Sequence, residues 1–205
     1  MLEPLVARSL TGFIRLLTGS RVFWSGRLAP GRRVYYGNHS SHGDFVLIWS
    51  ALPPTLRAQA RPVAAAEYWR RGALRRYLIG RVFKGVLVER DGAQRTEDPI
   101  AQMAAAIEAG DALILFPEGT RNPGEGVLPF KSGLYRLAAR CTGLELVPVW
   151  LENLNRVMPK GRLIPLPLLC TARFGAPFGL EEGEDKQQFL ERARRALLAL
   201  APENA

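Results

Sequence analysis

Apolar residues near the start of the chain recur at helical spacing. At about 100° per residue, Leu5, Val6, Leu10, Phe13, Ile14, Leu16 and Leu17 share an arc of roughly 180°, with Arg8 and Arg15 opposite. Pro4 suits the first turn of such a helix. Charges interrupt residues 1–17 too often for a transmembrane span, and no unbroken apolar stretch follows a basic start, as a signal peptide requires. An arc this wide predicts a helix lying in a lipid interface; the alternative is a helix packed on the protein's own core.

After residue 20 the periodicity changes. Residues 22–24 and 33–36 have the length and composition of short strands, 37–44 form a polar break, and 45–52 an apolar helix ended by Pro53 and Pro54. Residues 57–84 carry Arg57, Arg61, Arg70, Arg71, Arg75, Arg76, Arg81 and Lys84 against Glu67 alone, with Tyr68, Trp69, Tyr77 and Phe83 interleaved. That mixture fits a surface at lipid-headgroup level, or a solvated helix face with its aromatics turned inward. A strand follows at 85–89, a turn at 90–92, and a helix at 97–109 with Thr96 as its cap, Pro99 in its first turn and Gly110 beyond its end. The continuous apolar run at 112–116 predicts a strand buried on both faces. A Gly/Pro-rich loop spans 117–126, a helix 133–142 is stopped by Gly143, and strands are expected at 144–150 and 168–174. The last helix, 186–201, turns Phe189, Leu190, Ala193, Leu197 and Leu200 inward. Without repeats, linkers or low-complexity tracts, this alternation describes a single α/β domain at 21–205 preceded by the amphipathic helix at 1–20.

A length of 205 residues with 47% apolar composition supports one substantial core and excludes disordered and fibrous classes. Two cysteines, Cys141 and Cys170, exclude a disulfide scaffold and suit a reducing compartment. The net charge of +9 is unevenly placed: residues 1–90 hold 15 Lys and Arg against 4 acids, and residues 91–205 hold 13 against 15. A basic first half points to an anionic partner, whether membrane, nucleic acid or phosphorylated substrate. No finger, RRM or helix-turn-helix signature accompanies the charge, which weighs against a nucleic-acid-binding module.

The only two histidines, His39 and His42, share the polar segment at 38–44 with Asp44. In one continuous helix, a spacing of five residues separates side chains by about 140°. His39 and Asp44 can therefore meet only if His39 sits in a loop and the chain turns into the helix near Asp44. Once in contact, the carboxylate fixes the imidazole tautomer and raises the basicity of the other ring nitrogen, which can take a proton from a hydroxyl. The same three residues could instead be read as ligands of a zinc hydrolase, although no other histidine exists to complete a His-rich site. A second constellation, Phe116-Pro117-Glu118-Gly119-Thr120-Arg121, follows the buried strand. Gly119 permits close backbone approach, Thr120 adds a donor, and Arg121 offers a planar fork for phosphate. Phe130-Lys131-Ser132-Gly133 then opens the next helix.

Together these residues resemble the glycerolipid acyltransferase family, which includes bacterial lysophosphatidate acyltransferases. The segment from Asn38 to Asp44 is similar to its His-four-residues-Asp signature, Phe116 to Arg121 to its Phe-Pro-Glu-Gly-Thr-Arg block, and Phe130 to Gly133 to the continuation of that block. Val88-Glu89-Arg90 resembles the end of the second family block and Val147-Pro148-Val149 the fourth, in family order. Two departures stand out: the second block is one residue shorter between Gly85 and Arg90, and Gly43 replaces a residue that is often bulky and apolar.

The resemblance implies a mixed sheet flanked by helices, in the glycerol-3-phosphate acyltransferase-like fold, held at the cytoplasmic face of a membrane by the amphipathic helix. It also implies direct acyl transfer. His39 deprotonates the acceptor hydroxyl, Asp44 orients His39, and the alkoxide attacks the thioester of acyl-CoA or acyl-carrier protein. Arg90 and Arg121 hold the acceptor's phosphate, Glu118, Gly119 and Thr120 shape that pocket, and Lys131 adds a cation. His42 is expected at the surface or behind the site. The implied partners are a membrane lipid surface, the acyl carrier and a lysophospholipid, by default lysophosphatidate, with another lysolipid or an aminolipid as the alternative acceptor. No metal, organic cofactor or nucleic acid is expected.

Overall fold

The computed structural model describes residues 3–26, 31–41, 43–89, 97–122, 124, 126–152 and 169–202. Helix α1 (Glu3–Thr18) leads into strand β1 (Arg21–Trp24). Then come β2 (Arg33–Gly37), α2 (Asp44–Ala51), α3 (Pro54–Gln59), β3 (Ala60–Ala65), α4 (Ala66–Trp69) and α5 (Ala73–Tyr77), which runs directly into a π-helical turn, Leu78–Val82. Strand β4 (Val86–Val88), α6 (Pro99–Glu108), β5 (Ala112–Leu115), α7 (Gly133–Arg140), β6 (Glu145–Glu152), β7 (Thr171–Phe174) and α8 (Lys186–Leu198) follow.

The strands form one sheet in the order β1-β7-β6-β2-β5-β3-β4. Its pairings are parallel except β6 with β7, so the sheet is mixed. Strand alternation sends side chains to two cores. Tyr35, Ile114, Val147 and Val149 meet α2, where Leu47 and Ile48 are buried, and Leu52 just beyond its end. Val34, Tyr36, Leu113 and Leu146 meet Met103 and Ile107 of α6, Leu134 and Leu137 of α7, and Phe189, Ala193 and Leu197 of α8. Central strand β2 is buried along its whole length, as a strand covered on both faces must be. At its start Arg33 pairs with its register partner Glu145 on β6.

The segment between α2 and β4 departs most from the sequence pattern. Strand β3 runs through the Arg-rich stretch and alternates buried and half-buried residues. Pro62, which has no N–H for the ladder, lies in it opposite Ile114 and hides it from propensity. The helical part of the stretch is broken into α4, α5 and the π-helical turn. Helix α6 starts at Pro99 with Asp98 as its cap, whose side chain accepts the Ile100 N–H. Thr96, the expected cap, lies outside the described residues, as does the turn expected at 90–92. Strand β4 is three residues long, shorter than the expected 85–89.

Helix α1 divides its apolar arc between two environments. Val6, Ala7 and Leu10 pack against the core, while Leu5, Phe13 and Leu16 are exposed, Leu16 at 83%. No helix among the described residues is long and apolar enough to cross a membrane.

Candidate active site

Strands β2 and β5 are hydrogen-bonded neighbours and end side by side, so the loops that follow them share one edge of the sheet. This carboxyl edge is where open α/β sheets bind ligands. Gly37 closes β2 because a Cβ there would lie 2.8 Å from the Val149 carbonyl oxygen. The next residue, Asn38, is clamped to β6: its carboxamide accepts the Leu151 N–H at 2.8 Å and donates to the Leu151 carbonyl at 3.0 Å.

His39 is held on every side. Its N–H donates to Glu118 Oε1 at 2.8 Å, and its carbonyl accepts the Asn122 N–H at 2.6 Å. Its ring stacks on Phe116, with centroids 4.3 Å apart and planes 14° from parallel. Nδ1 lies 2.9 Å from Asp44 Oδ2. Asp44 is the first residue of α2 and is fully buried. The same oxygen accepts the N–H groups of Ser40 at 2.7 Å and Ser41 at 2.8 Å. The carboxylate therefore folds the loop around itself and meets the imidazole where the chain turns into the helix. An oxygen that already accepts two backbone N–H groups faces Nδ1 as an acceptor, which places the ring proton on Nδ1 and leaves the Nε2 lone pair free of it. Cys170 is also buried near Asp44, and burial, followed by the charge of Asp44, pushes its thiol up to about 11. That makes it a neutral space-filling group at ordinary pH.

The loop after β5 supplies the other wall. Glu118 is 2% exposed, and its Oε2 accepts the Leu128 N–H at 2.9 Å. With Oε1 on His39, both oxygens are committed to backbone groups. Of the three residues expected to shape the phosphate pocket, Gly119 and Thr120 line the cleft, whereas Glu118 lies behind it and ties the two motif loops together. Burial raises its carboxyl above the ordinary carboxylate range, against the two backbone hydrogen bonds that lower it. Gly119 has φ +69°, and a Cβ there would come within 2.7 Å of Cδ and 2.8 Å of Cε of Lys131. The missing side chain lets Lys131 lie across the loop.

These groups surround a cleft of about 590 Å³. His39, Phe116, Gly119, Thr120, Arg121 and Lys131 are among the residues that line it. Phe45, Val63, Tyr68, Trp69, Ile100 and Met103 contribute apolar wall. Neither Arg121 nor Lys131 has an ionic or hydrogen-bonded side-chain partner among the described residues. Two cations thus line the same cleft as the His39 imidazole, and a guanidinium or an ammonium there has the chemistry to meet an anion. Arg90 and His42 lie outside the described residues. Reasoning from sequence did not assign roles to Asn38, Phe116 or Asn122, each of which holds His39. Asn38 and Phe116 lie within the two motifs and Asn122 directly after the second, which is the signal available, but the contacts cross between strands and loops that only the fold aligns.

The family model named Acyltransferase matches residues 25–152. The chain belongs to the acyltransferase family. This acyltransferase is 29% identical over 185 residues to the 1-acyl-sn-glycerol-3-phosphate acyltransferase of Haemophilus influenzae, an alignment covering 74% of this chain and 72% of that one. It is 29% identical over 140 residues to the enzyme of the same name from Escherichia coli K12, covering 62% and 52%. It is 32% identical over 127 residues to the lyso-ornithine lipid O-acyltransferase of Brucella abortus, covering 60% and 43%. The chain thus spans about half, or less, of the length of the latter two relatives. The fold matches the crystal structure of the 1-acyl-sn-glycerophosphate acyltransferase PlsC from Thermotoga maritima, with a TM-score of 0.73, 21% identity, and coverage of 97% of this chain and 79% of that one. The region matched to the acyltransferase family includes both loops of the cleft and leaves α1 and α8 outside.

Proposed function

We propose that the chain acylates the free hydroxyl of lysophosphatidate to give phosphatidate, with acyl-CoA or acyl-carrier protein as donor. The observation that carries this reading is the His39–Asp44 hydrogen bond in a cleft that is also lined by Arg121 and Lys131, two cations without a side-chain partner among the described residues. His39 Nε2 takes the proton of the acceptor hydroxyl while the oxygen forms a bond to the thioester carbonyl carbon. The tetrahedral intermediate then collapses, the carbon–sulfur bond breaks, and the thiolate leaves with the proton returned by His39. Asp44 holds the tautomer and stabilises the imidazolium that exists between the two transfers. Arg121 and Lys131, with Arg90, neutralise the acceptor's phosphate. Written this way, the reaction uses no metal and no organic cofactor beyond the acyl carrier.

Several features support the choice of acceptor and setting. Relatives from several organisms carry the name 1-acyl-sn-glycerol-3-phosphate acyltransferase. The exposed Leu5, Phe13 and Leu16 of α1, with the basic first half of the chain, fit a protein that lies on the cytoplasmic surface of a membrane where lysolipid is presented. The similarity to a lyso-ornithine lipid acyltransferase favours one second reading, an aminolipid acceptor without phosphate.

An acceptor panel separates the two. Purified protein, labelled acyl-CoA or acyl-carrier protein, and lysophosphatidate, lyso-ornithine lipid or monoacylglycerol are incubated, and the lipid products are identified. Labelled phosphatidate as the main product is the expected result. Acylation of lyso-ornithine lipid with lysophosphatidate untouched would overturn it.

A further inference from the structure

Helix α5 has no buried residue, yet it carries Leu74, 70% exposed, and Tyr77, also exposed. A single exposed leucine is ordinary, but a neighbouring set of exposed apolar side chains is not. Helix α5 continues without a break into the π-helical turn, and that turn packs against α1, whose Leu5, Phe13 and Leu16 are exposed as well. The charges around α5 are nearly all of one sign. Arg71, Arg75, Arg76, Arg81 and Lys84 are exposed, and the acids within residues 57–89 are only Glu67 and Glu89, the latter paired with Arg70 at 3.2 Å. The segment also adjoins the cleft. Arg75 lies 4.2 Å over the ring of Tyr68, and Tyr68 and Trp69 line the cleft wall.

We propose that α5 is a second membrane-contact element, distinct from α1, that inserts Leu74 and Tyr77 among the lipids of an anionic bilayer and brings the mouth of the cleft to headgroup level. The occupant is argued from charge and shape together. Apolar side chains flanked by arginines match an interface of acyl chains under anionic headgroups. A protein partner would more usually bury a patch depleted of like charges at its centre. The proposal rests on the lipid-acylating reading for its purpose, but its first test does not involve catalysis.

The test compares the full chain with the Leu74→Ser/Tyr77→Ser double variant by co-sedimentation with vesicles of equimolar phosphatidylcholine and phosphatidylglycerol. The variant is expected to stay close to the wild-type unfolding midpoint, since neither Leu74 nor Tyr77 is buried, and to lose roughly tenfold or more in vesicle partitioning. An Arg71→Glu/Arg76→Glu variant is expected to lose binding to the mixed vesicles while leaving the weak binding to pure phosphatidylcholine vesicles unchanged. Vesicle partitioning of the double variant equal to wild type would overturn the proposal. In a second arm, acylation of lysophosphatidate embedded in the vesicles should fall with partitioning, while acylation of a short-chain, monomeric lysophosphatidate stays at the wild-type rate. If the wild-type protein acylates neither acceptor, the lysophosphatidate reading fails, and the sedimentation result still decides the docking surface.

Discussion

His39 Nδ1 and Asp44 Oδ2 lie 2.9 Å apart, and the same carboxylate oxygen also receives the backbone N–H groups of Ser40 and Ser41. Asp44 therefore does two things: it orients the imidazole and it shapes the loop that carries it. Substitutions at the two positions should separate these effects. His39→Ala removes the base but no hydrogen bond of the loop backbone, so turnover should fall by at least about 10²–10⁴-fold with stability close to wild type. Asp44→Ala should lose activity and, in addition, about 1–3 kcal/mol of stability, because two N–H groups lose their acceptor. Steady-state kinetics beside urea unfolding checks both. Wild-type turnover in His39→Ala would end the mechanism, and wild-type stability in Asp44→Ala would end the structural half of the argument.

Glu118 supports the same histidine from behind. Its two oxygens accept the N–H groups of His39 and Leu128, and burial raises its carboxyl above the ordinary range. In Glu118→Gln the amide can accept one N–H but faces the other with a donor, which should cost about 1–3 kcal/mol and displace His39. The expected kinetic result is a fall in kcat with little change in the Michaelis constant. The pH dependence has a definite sign. Between the unfolded carboxyl's pKa and the raised folded one, the folded protein binds more protons than the unfolded chain, so the contribution of Glu118 to stability decreases as pH rises through that window and is level above it. Glu118→Gln lacks this slope. Unfolding free energies measured across the acidic range should show the stability of wild type, relative to the variant, shrinking as pH rises.

The contrast between these residues shows what a sequence exposes and what it does not. The junction that joins His39 to Asp44 was legible because the polar break, the following apolar helix and the spacing of five residues all lie within one short segment. Glu118 was legible as part of a motif, but its direction was not. Its bond to His39 spans 79 positions and exists because β2 and β5 are neighbours in the sheet, an order that local periodicity does not encode. Strand β3 was hidden for a different reason: Arg61 and Pro62 mask an alternation that becomes visible only as burial between β5 and β4. Elements with uninterrupted patterns, such as β5 and α8, stand where the periodicity placed them to within a few residues.

Arg121 lines the cleft, and its guanidinium has no ionic or hydrogen-bonded partner among the described residues. Arg121→Ala should leave the fold unaffected, since no described contact of the side chain is lost. Its effect should fall on the phosphorylated acceptor: a hydrogen bond to a charged group contributes about 1.5–3 kcal/mol, which corresponds to a rise of roughly ten- to a hundredfold in the Michaelis constant for lysophosphatidate. The same variant assayed with a monoacylglycerol acceptor should change little. Equal losses with both acceptors would show that Arg121 serves the donor or the loop instead of the acceptor's phosphate.

Gly119 tests whether the placement of Lys131 in the cleft depends on backbone shape. Its φ of +69° is unfavourable for an L side chain, and the Lys131 methylenes occupy the space a Cβ would take. A flexible lysine can move aside, so the steric cost alone is small. The backbone conformation cannot be relieved so easily, and holding a non-glycine residue there costs about 1–3 kcal/mol. Gly119→Ala should therefore lower stability by about that amount and also displace Lys131 from the loop. The kinetic consequence should be a higher Michaelis constant for lysophosphatidate, with the His39–Asp44 pair, and hence the pH dependence of turnover, left as in wild type. Lys131→Met separates the two effects, because it removes the ammonium without straining the backbone. If displacement of Lys131 is what weakens acceptor binding, Gly119→Ala and Lys131→Met should raise the Michaelis constant to a similar extent, and the double variant should add little beyond either one. Fully additive losses would show that Gly119 shapes the pocket through the loop itself and not through the lysine it accommodates.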